Sequence, residues 1–259
     1  MISKNHPRIK TFRRVIQHCS KKSEDLFPVE GVHMVREALD QGVPIQDALV
    51  SPALLSTKEG QALIERISLQ GIQPAEVPAQ LFESISDLQA PQGILILCRK
   101  RQWTKGDLRL NSKQPLLVLC GVQDPGNLGT IVRSCDASGA PGIVTLEGTV
   151  SMYNLKVIRA TMGSLFRFPV LEAYSPEQLL KLAARIQYRL IAAVGSGGTD
   201  FQTVDYQKSA LLLGSEAGGI PQELLERAAA TISIPIAPGV DSLNVGIAAA
   251  VLLFRQPPG

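Results

Sequence analysis

The chain is poor in the residue types that usually hold metals or build hydrolytic triads, and those it has are badly spaced for either task. Four cysteines, Cys19, Cys98, Cys120 and Cys135, lie far apart with no C-x-x-C pair, which suggests neither a zinc site nor a disulfide framework. They are expected to be reduced and structural. The three histidines, His6, His18 and His33, all stand in the N-terminal part, so a Ser-His-Asp hydrolase in the remainder is disfavoured. There is no H-E-x-x-H, no Cys/His cluster and no dense carboxylate pair, and no metal is expected. Long hydrophobic runs are missing too. The longest, about Ile247 to Phe254, falls far short of the roughly 18 residues of a membrane span, and the N-terminus lacks the apolar stretch of a signal peptide. A cytoplasmic protein without a membrane partner is expected. Phosphate-loop and nucleophile-elbow signatures are absent, as is G-x-G-x-x-G after the first strand of a dinucleotide fold, which weakens a nucleotide-dependent oxidoreductase.

What is present is a globular composition: 259 residues, 45% hydrophobic and 19% charged, enough for one large or two small domains. The net charge of +3 is small but unevenly placed. Lys4, Arg8, Lys10, Arg13, Arg14, Lys21 and Lys22 all precede the first acid, Glu24, whereas from Leu116 onward 10 basic residues face 11 acidic ones. Such an arm either meets a polyanion, gaining affinity by releasing counterions from phosphates, or is a solvated helix face.

Ile9, Phe12, Val15 and Ile16 fall at helical spacing among the cations, predicting an amphipathic helix over residues 8 to 19. From Phe27 a strand, a helix (Gly31 to Gln41), a strand (Ile45 to Val50), a helix (Lys58 to Leu69) and a buried strand (Gly93 to Cys98) describe a small α/β domain over 1–98. Residues 99–114 are polar, basic and aperiodic, and read as a linker. A second α/β domain over 115–259 has apolar strands at Leu116 to Cys120, Gly142 to Leu146, Arg189 to Val194 and Ala210 to Leu213. Helical patterns separate them at Gly129 to Ser138, Leu155 to Met162 and Pro176 to Gln187.

Ligands of open α/β sheets bind beyond the carboxyl ends of the strands, and three such segments stand out. The first, Asp124-Pro125-Gly126-Asn127-Leu128-Gly129, leads into a helix expected to carry Arg133 in its first turn or two. That would make an anion site, although D-P-G-N is also good turn chemistry. In the second, Gly214-Ser215-Glu216-Ala217-Gly218-Gly219, glycines permit close backbone approach around one carboxylate. Gly195-Ser196-Gly197-Gly198 follows another strand. In the third, Ile234-Pro235-Ile236 precedes Asp241-Ser242-Leu243-Asn244-Val245, with more polar groups than a helix start requires. Amides, hydroxyls, one arginine and one glutamate suit the positioning of reactants that carry their own reactivity.

Taken in this order, the three segments resemble the motifs of the SpoU (TrmH-type) RNA 2′-O-ribose methyltransferases of the SPOUT superfamily, with an intervening Arg159-Ala160-Thr161-Met162-Gly163. Thr161 stands where a serine is commoner. The likeness covers Leu116 to Phe254 and extends loosely to Ile2-Ser3-Lys4-Asn5 and Val29-Glu30-Gly31, similar to a small RNA-binding domain that itself resembles a ribosomal protein. It implies an α/β fold with a C-terminal trefoil knot, S-adenosyl-L-methionine bound in a bent form, and a homodimer in which both subunits contribute to each site.

By the same resemblance, Gly195, Gly214, Ile234 and Leu243 would form the cofactor pocket. Asn127 and Glu216 would position by hydrogen bonding, and Ser242 and Asn244 would order the catalytic loop and the RNA. Arg133 would activate the ribose hydroxyl as a base, or anchor phosphate and stabilise the forming alkoxide, roles that leave the guanidinium its proton. Lys4, Arg8, Lys10, Arg13 and Arg14 would hold structured RNA. Ribosomal RNA is the preferred substrate, with transfer RNA and a non-catalytic assembly factor as alternatives.

Overall fold

A computed structural model describes residues 1–255 apart from positions 217 and 241. It divides into two compact units, one of Met1–Gln102 with Tyr153–Arg167 and one of Trp103–Met152 with the chain from Phe168 on.

The first unit opens with α1 (Pro7–His18), whose Ile9, Phe12 and Val15 are fully buried, as the helical spacing predicted, while Ile16 is only half-buried. There follow β1 (Leu26–Glu30), α2 (Val32–Asp40), β2 (Ile45–Val50), α3 (Pro52–Leu55), α4 (Lys58–Leu69), β3 (Ala75–Glu76), α5 (Ala79–Glu83) and β4 (Ile94–Arg99). The sheet order is β1-β4-β2-β3, antiparallel except for the β2/β3 pair. Pro28 has no N–H for a ladder, and it lies on β1, an edge strand where none is required.

The second unit is built on β5 (Leu116–Cys120), α6 (Pro125–Ser138) and β6 (Ile143–Leu146). The chain then departs as α7 (Leu155–Ala160), within the segment that packs in the first unit. It continues as β7 (Val170–Tyr174), α8 (Pro176–Ile186), β8 (Arg189–Ala193), β9 (Thr199–Asp200), β10 (Ser209–Gly214), α9 (Gln222–Leu225), β11 (Ala230–Ser233) and α10 (Val245–Leu253). Every pair in the seven-stranded sheet is parallel, in the order β7-β6-β5-β10-β8-β11-β9. Its central strands are fully or nearly buried, which is why they read as continuous apolar runs. The edge strands β7 and β9, and β11 beside β9, are shorter or more mixed in composition and did not declare themselves.

The stretch expected as a linker is divided differently. Arg99 still ends β4, but from Trp103 the chain belongs to the second unit. Leu108 is buried against Gly142, and the Arg109 N–H donates to the Pro141 carbonyl at 2.9 Å. One buried leucine in a polar run has no periodicity, so the docking left no pattern to read.

All four cysteines are buried and free, and burial pushes the Cys120 thiol up to about 12. Among the described residues no helix is long and apolar enough to cross a membrane, and no group of three potential metal-ligating side chains comes together.

Candidate active site

Parallel strands deliver their carboxyl ends to one side of the sheet. There the ends of β8, β10 and β11 open a pocket of about 450 Å³, within the size range of small-molecule sites. Gly195 follows β8, Gly214 ends β10, Ile234 follows β11, and Leu243 precedes α10; all four line this pocket, with Glu216 and Ser242. The geometry thus brings together six of the nine residues expected to bind cofactor or take part in catalysis. Asp241, which the sequence pattern joined to this group, lies outside the described residues.

The loop after β10 is held tightly. The Ser215 N–H donates to the Cys120 carbonyl at 2.9 Å, the Gly219 N–H returns to the Ser215 carbonyl at 2.9 Å, and Ser215 Oγ accepts from the Gly218 N–H at 3.0 Å. A Cβ on Gly214 would stand 2.4 Å from the Gly219 backbone, so the turn closes only around a residue without a side chain.

Asp124 and Asn244 do conventional work at helix starts. Asp124 Oδ1 accepts the Asn127 N–H at 2.7 Å, with Pro125 in the first turn of α6. Asn244 Oδ1 accepts the Gly246 and Ile247 N–H groups at 2.9 and 3.3 Å. Its amide is still available, and Asn244 Nδ2 donates to Asn127 Oδ1 at 2.9 Å. The first and third motifs therefore meet through these two side chains, and α10, whose Ala248 and Leu252 form one wall of the pocket, is fixed to α6.

Arg133 departs from expectation. It stands eight residues past Pro125, about 12 Å along the axis, in the third turn of α6 rather than the first or second. It is exposed and does not line the pocket. The anion site imagined at the helix start therefore does not include it.

The arm is also more internally committed than its sequence suggests. Arg8 Nε donates to Asp47 Oδ2 at 3.0 Å, and its Nη2 binds Asp47 Oδ1 and the carbonyls of Ala48 and Gln73, at 3.1 and 3.0 Å. Arg14 pairs with the buried Glu24 carboxylate, and Arg13 Nη2 reaches Ser84 Oγ at 3.3 Å. Lys4 and Lys10 are exposed. Nothing in the arm's own composition distinguishes Arg8 and Arg14 from the others, because their acids lie elsewhere in the chain.

The Arg159 to Gly163 motif folds within the first unit. Arg159 pairs with Asp87 at 2.5 Å, and the buried Thr161 donates from Oγ1 to the Ile158 carbonyl at 2.8 Å. Sequence reasoning missed the apolar walls of the pocket, Ile220, Leu225, Ala248 and Leu252. As apolar residues near or in helices they are indistinguishable from core, and only the pocket separates them.

Residues 114–254 match the model of the SpoU rRNA Methylase family, and residues 6–96 match an MRM3-like substrate binding domain. The chain is 28% identical over 254 residues to the 23S rRNA (guanosine(2553)-2′-O)-methyltransferase RlmP of Bacillus subtilis, covering 98% of this chain and 97% of that one. It is 28% identical over 237 residues to the 23S rRNA (guanosine-2′-O-)-methyltransferase RlmB of Salmonella typhi, covering 88% and 96%. Among solved structures, an AdoMet-bound rRNA methyltransferase from Sinorhizobium meliloti superposes with a TM-score of 0.87 at 30% identity, covering 98% and 95%. With the family model matched over more than half of its length, and with the family's three motifs gathered at one pocket and one helix pair, the chain belongs to the SpoU rRNA methylase family.

Proposed function

We propose that this protein is an S-adenosyl-L-methionine-dependent RNA methyltransferase that methylates a ribose 2′-hydroxyl of ribosomal RNA. The observation that carries the reading is the pocket after β8, β10 and β11, where expected cofactor residues from four separate parts of the chain converge. Its character fits the donor: the Gly214 cradle admits close backbone approach, Ile234 and Leu243 offer apolar cover to a purine, and Glu216 supplies one carboxylate near a cationic ligand. When bound, the donor supplies an electrophilic methyl on a sulfonium sulfur. The protein's task is to align the ribose hydroxyl with that methyl, exclude water and manage one proton.

Glu216 and Ser242, at the pocket, position the reactants by hydrogen bonding. Asn127 and Asn244 hold α6 and α10 in register behind it. Arg133 anchors a phosphate or stabilises the forming alkoxide. Its absence from the lining of its own pocket favours delivery into the pocket of a second copy. α10 carries the surface for such a pairing: Ile247, Val251 and Phe254 recur at i, i+4 and i+7 and are 56%, 37% and 47% exposed. A helix apolar on all sides is normally covered on all sides, and a two-fold homodimer would cover this one. In the same reading the C-terminal chain threads a trefoil knot, consistent with β10 lying between β5 and β8 and α10 returning to α6. The enzyme works in the cytoplasm, and of the five arm residues expected to hold RNA, Lys4, Lys10 and Arg13 are the cations left available for it.

The test is transfer of labelled methyl from S-adenosyl-L-methionine to total RNA of a strain lacking the gene, with RNA fractionated by size and nucleosides identified. Label in a 2′-O-methyl nucleoside of ribosomal RNA is the expected result. Label in transfer RNA would overturn the substrate, and no label from protein that binds donor and RNA would overturn the activity. Arg133→Ala should lower turnover at saturating substrate by about 100-fold or more, the scale of one lost transition-state contact. Mixed dimers of Arg133→Ala with Gly214→Val should regain activity if the arginine serves the other subunit.

A further inference from the structure

β7 is an edge strand of the second unit's sheet, with β6 beside it. Val144 pairs with Leu171 and Leu146 with Tyr174, so β7 advances three residues where β6 advances two. The extra residue falls where Ala173 takes a φ of +58°, in the left-handed region that residues with side chains seldom adopt. Its N–H donates to Thr145 Oγ1 at 3.1 Å. Successive side chains of a regular strand point to opposite faces. Here the bulge lets Glu172, Ala173 and Tyr174 all line one groove of about 400 Å³. The opposite wall is a stripe of α8, with Gln178, Lys181 and Arg185 at i, i+3 and i+7, and Lys105 also lines the groove.

The groove thus gathers three cations around a half-buried tyrosine, against one carboxylate, Glu172, which accepts the Met152 N–H at 2.9 Å. Among the described residues Lys105 and Arg185 have no ion-pair partner. Lys181 pairs with Glu177 at 2.6 Å, but both side chains are about three-quarters exposed, at 73% and 74%, and a pair of that kind is readily exchanged. Cations beside an aromatic face suit a nucleic-acid backbone and its bases. All strands being parallel, the Tyr174 end of β7 lies on the same side of the sheet as the Gly214 end of β10. Three strand spacings separate them, roughly 14 Å, a distance a few nucleotides bridge.

We propose that this groove is a second contact site for the substrate RNA, in which Lys105, Lys181 and Arg185 hold backbone phosphates and Tyr174 offers a face to a base. The proposal rests on the RNA methyltransferase reading and adds a determinant of substrate affinity outside the cofactor pocket and outside the N-terminal arm. Bulges and lysines on edge strands also guard against edge-to-edge association, so the experiment separates the two roles.

In the full-length protein, Lys105→Gln, Lys181→Gln and Arg185→Gln are combined. Binding to a fluorescein-labelled 20-nucleotide single-stranded RNA of mixed sequence is followed from low to high salt. Methyl transfer is measured on protein-free ribosomal RNA from a strain lacking the gene. The slope of log K against log salt should flatten by about 2, three contacts at about 0.7 each. The KM for RNA should rise about tenfold, with kcat and donor affinity within twofold of wild type. Should the triple variant fold poorly, Arg185→Gln alone should flatten the slope by about 0.7. An unchanged slope and KM would overturn the proposal, and so would association beyond the wild-type state on sedimentation with KM unchanged, which would assign the cations to edge protection. Wild-type protein that transfers no methyl, yet binds the labelled RNA with a slope the variant flattens, would sink the methylation reading and leave the groove standing.

Discussion

Asn244 Nδ2 donates to Asn127 Oδ1 at 2.9 Å, a bond between side chains 117 positions apart that ties the start of α10 to the first turn of α6. The same Asn244 caps α10 through its Oδ1. The two functions use different atoms and can be separated. Asn244→Ala should cost about 1 kcal/mol of stability, the usual value of a lost cap, and lower methyl transfer at least tenfold. Asn244→Asp keeps the capping oxygen and loses the amide donor. Its thermal midpoint should stay near wild type while transfer falls nearly as far as in the alanine variant. Equal stability losses in both variants would show that the link to Asn127, not the cap, holds the helix.

Arg8 and Lys10 look equivalent in sequence but should behave differently. Arg8→Ala removes the guanidinium from Asp47, Ala48 and Gln73 and leaves a largely buried carboxylate without its cation. A loss of about 2–3 kcal/mol in urea unfolding is expected. Lys10→Ala should stay within about 0.5 kcal/mol of wild type and instead flatten the salt dependence of RNA binding.

The cysteines set a direction for alkaline stability. Burial raises the Cys98, Cys120 and Cys135 thiols, Cys120 to about 12, while an unfolded thiol ionises near 8.5. Between about pH 8.5 and 12 the unfolded chain therefore releases protons that the folded chain keeps. The stability these groups contribute is complete below that window and declines as the pH rises through it. Denaturant midpoints at pH 8 and pH 10 should show the drop. Ellman's reagent at pH 8 should find the thiols silent until denaturant is added.

The exposed stripe of α10 predicts the assembly state. Ile247→Asp or Val251→Asp should shift the protein to monomer in sedimentation and reduce methyl transfer by more than tenfold. A dimer unaffected by both changes would exclude this face as the interface.

Much of the fold was legible because buried parallel strands such as Leu116–Cys120 and Ala210–Leu213 are short apolar runs, and α1 shows its packed face in Ile9, Phe12 and Val15. The pocket residues Gly195, Gly214, Ile234 and Leu243 were legible through family motifs, since nothing in their own spacing brings them together. The rest lay in long-range geometry. The position of Arg133 follows from where Asp124 caps α6, the pairing of Arg8 from an aspartate 39 residues away, and the bulge of β7 from a left-handed alanine that no propensity would place there.

The segment Tyr153–Arg167 belongs to the first unit although it is encoded between β6 and β7. Phe166 lies beside Phe27 at 6.3 Å between ring centroids, Tyr153 at 5.0 Å, and Arg167 pairs with Glu37. A fragment cut after residue 102 would lack these partners, and one begun there would carry the segment with its apolar side uncovered. Neither unit is a cassette that recombination could exchange intact, so changes in the first unit must be matched within the gene segment that encodes the second.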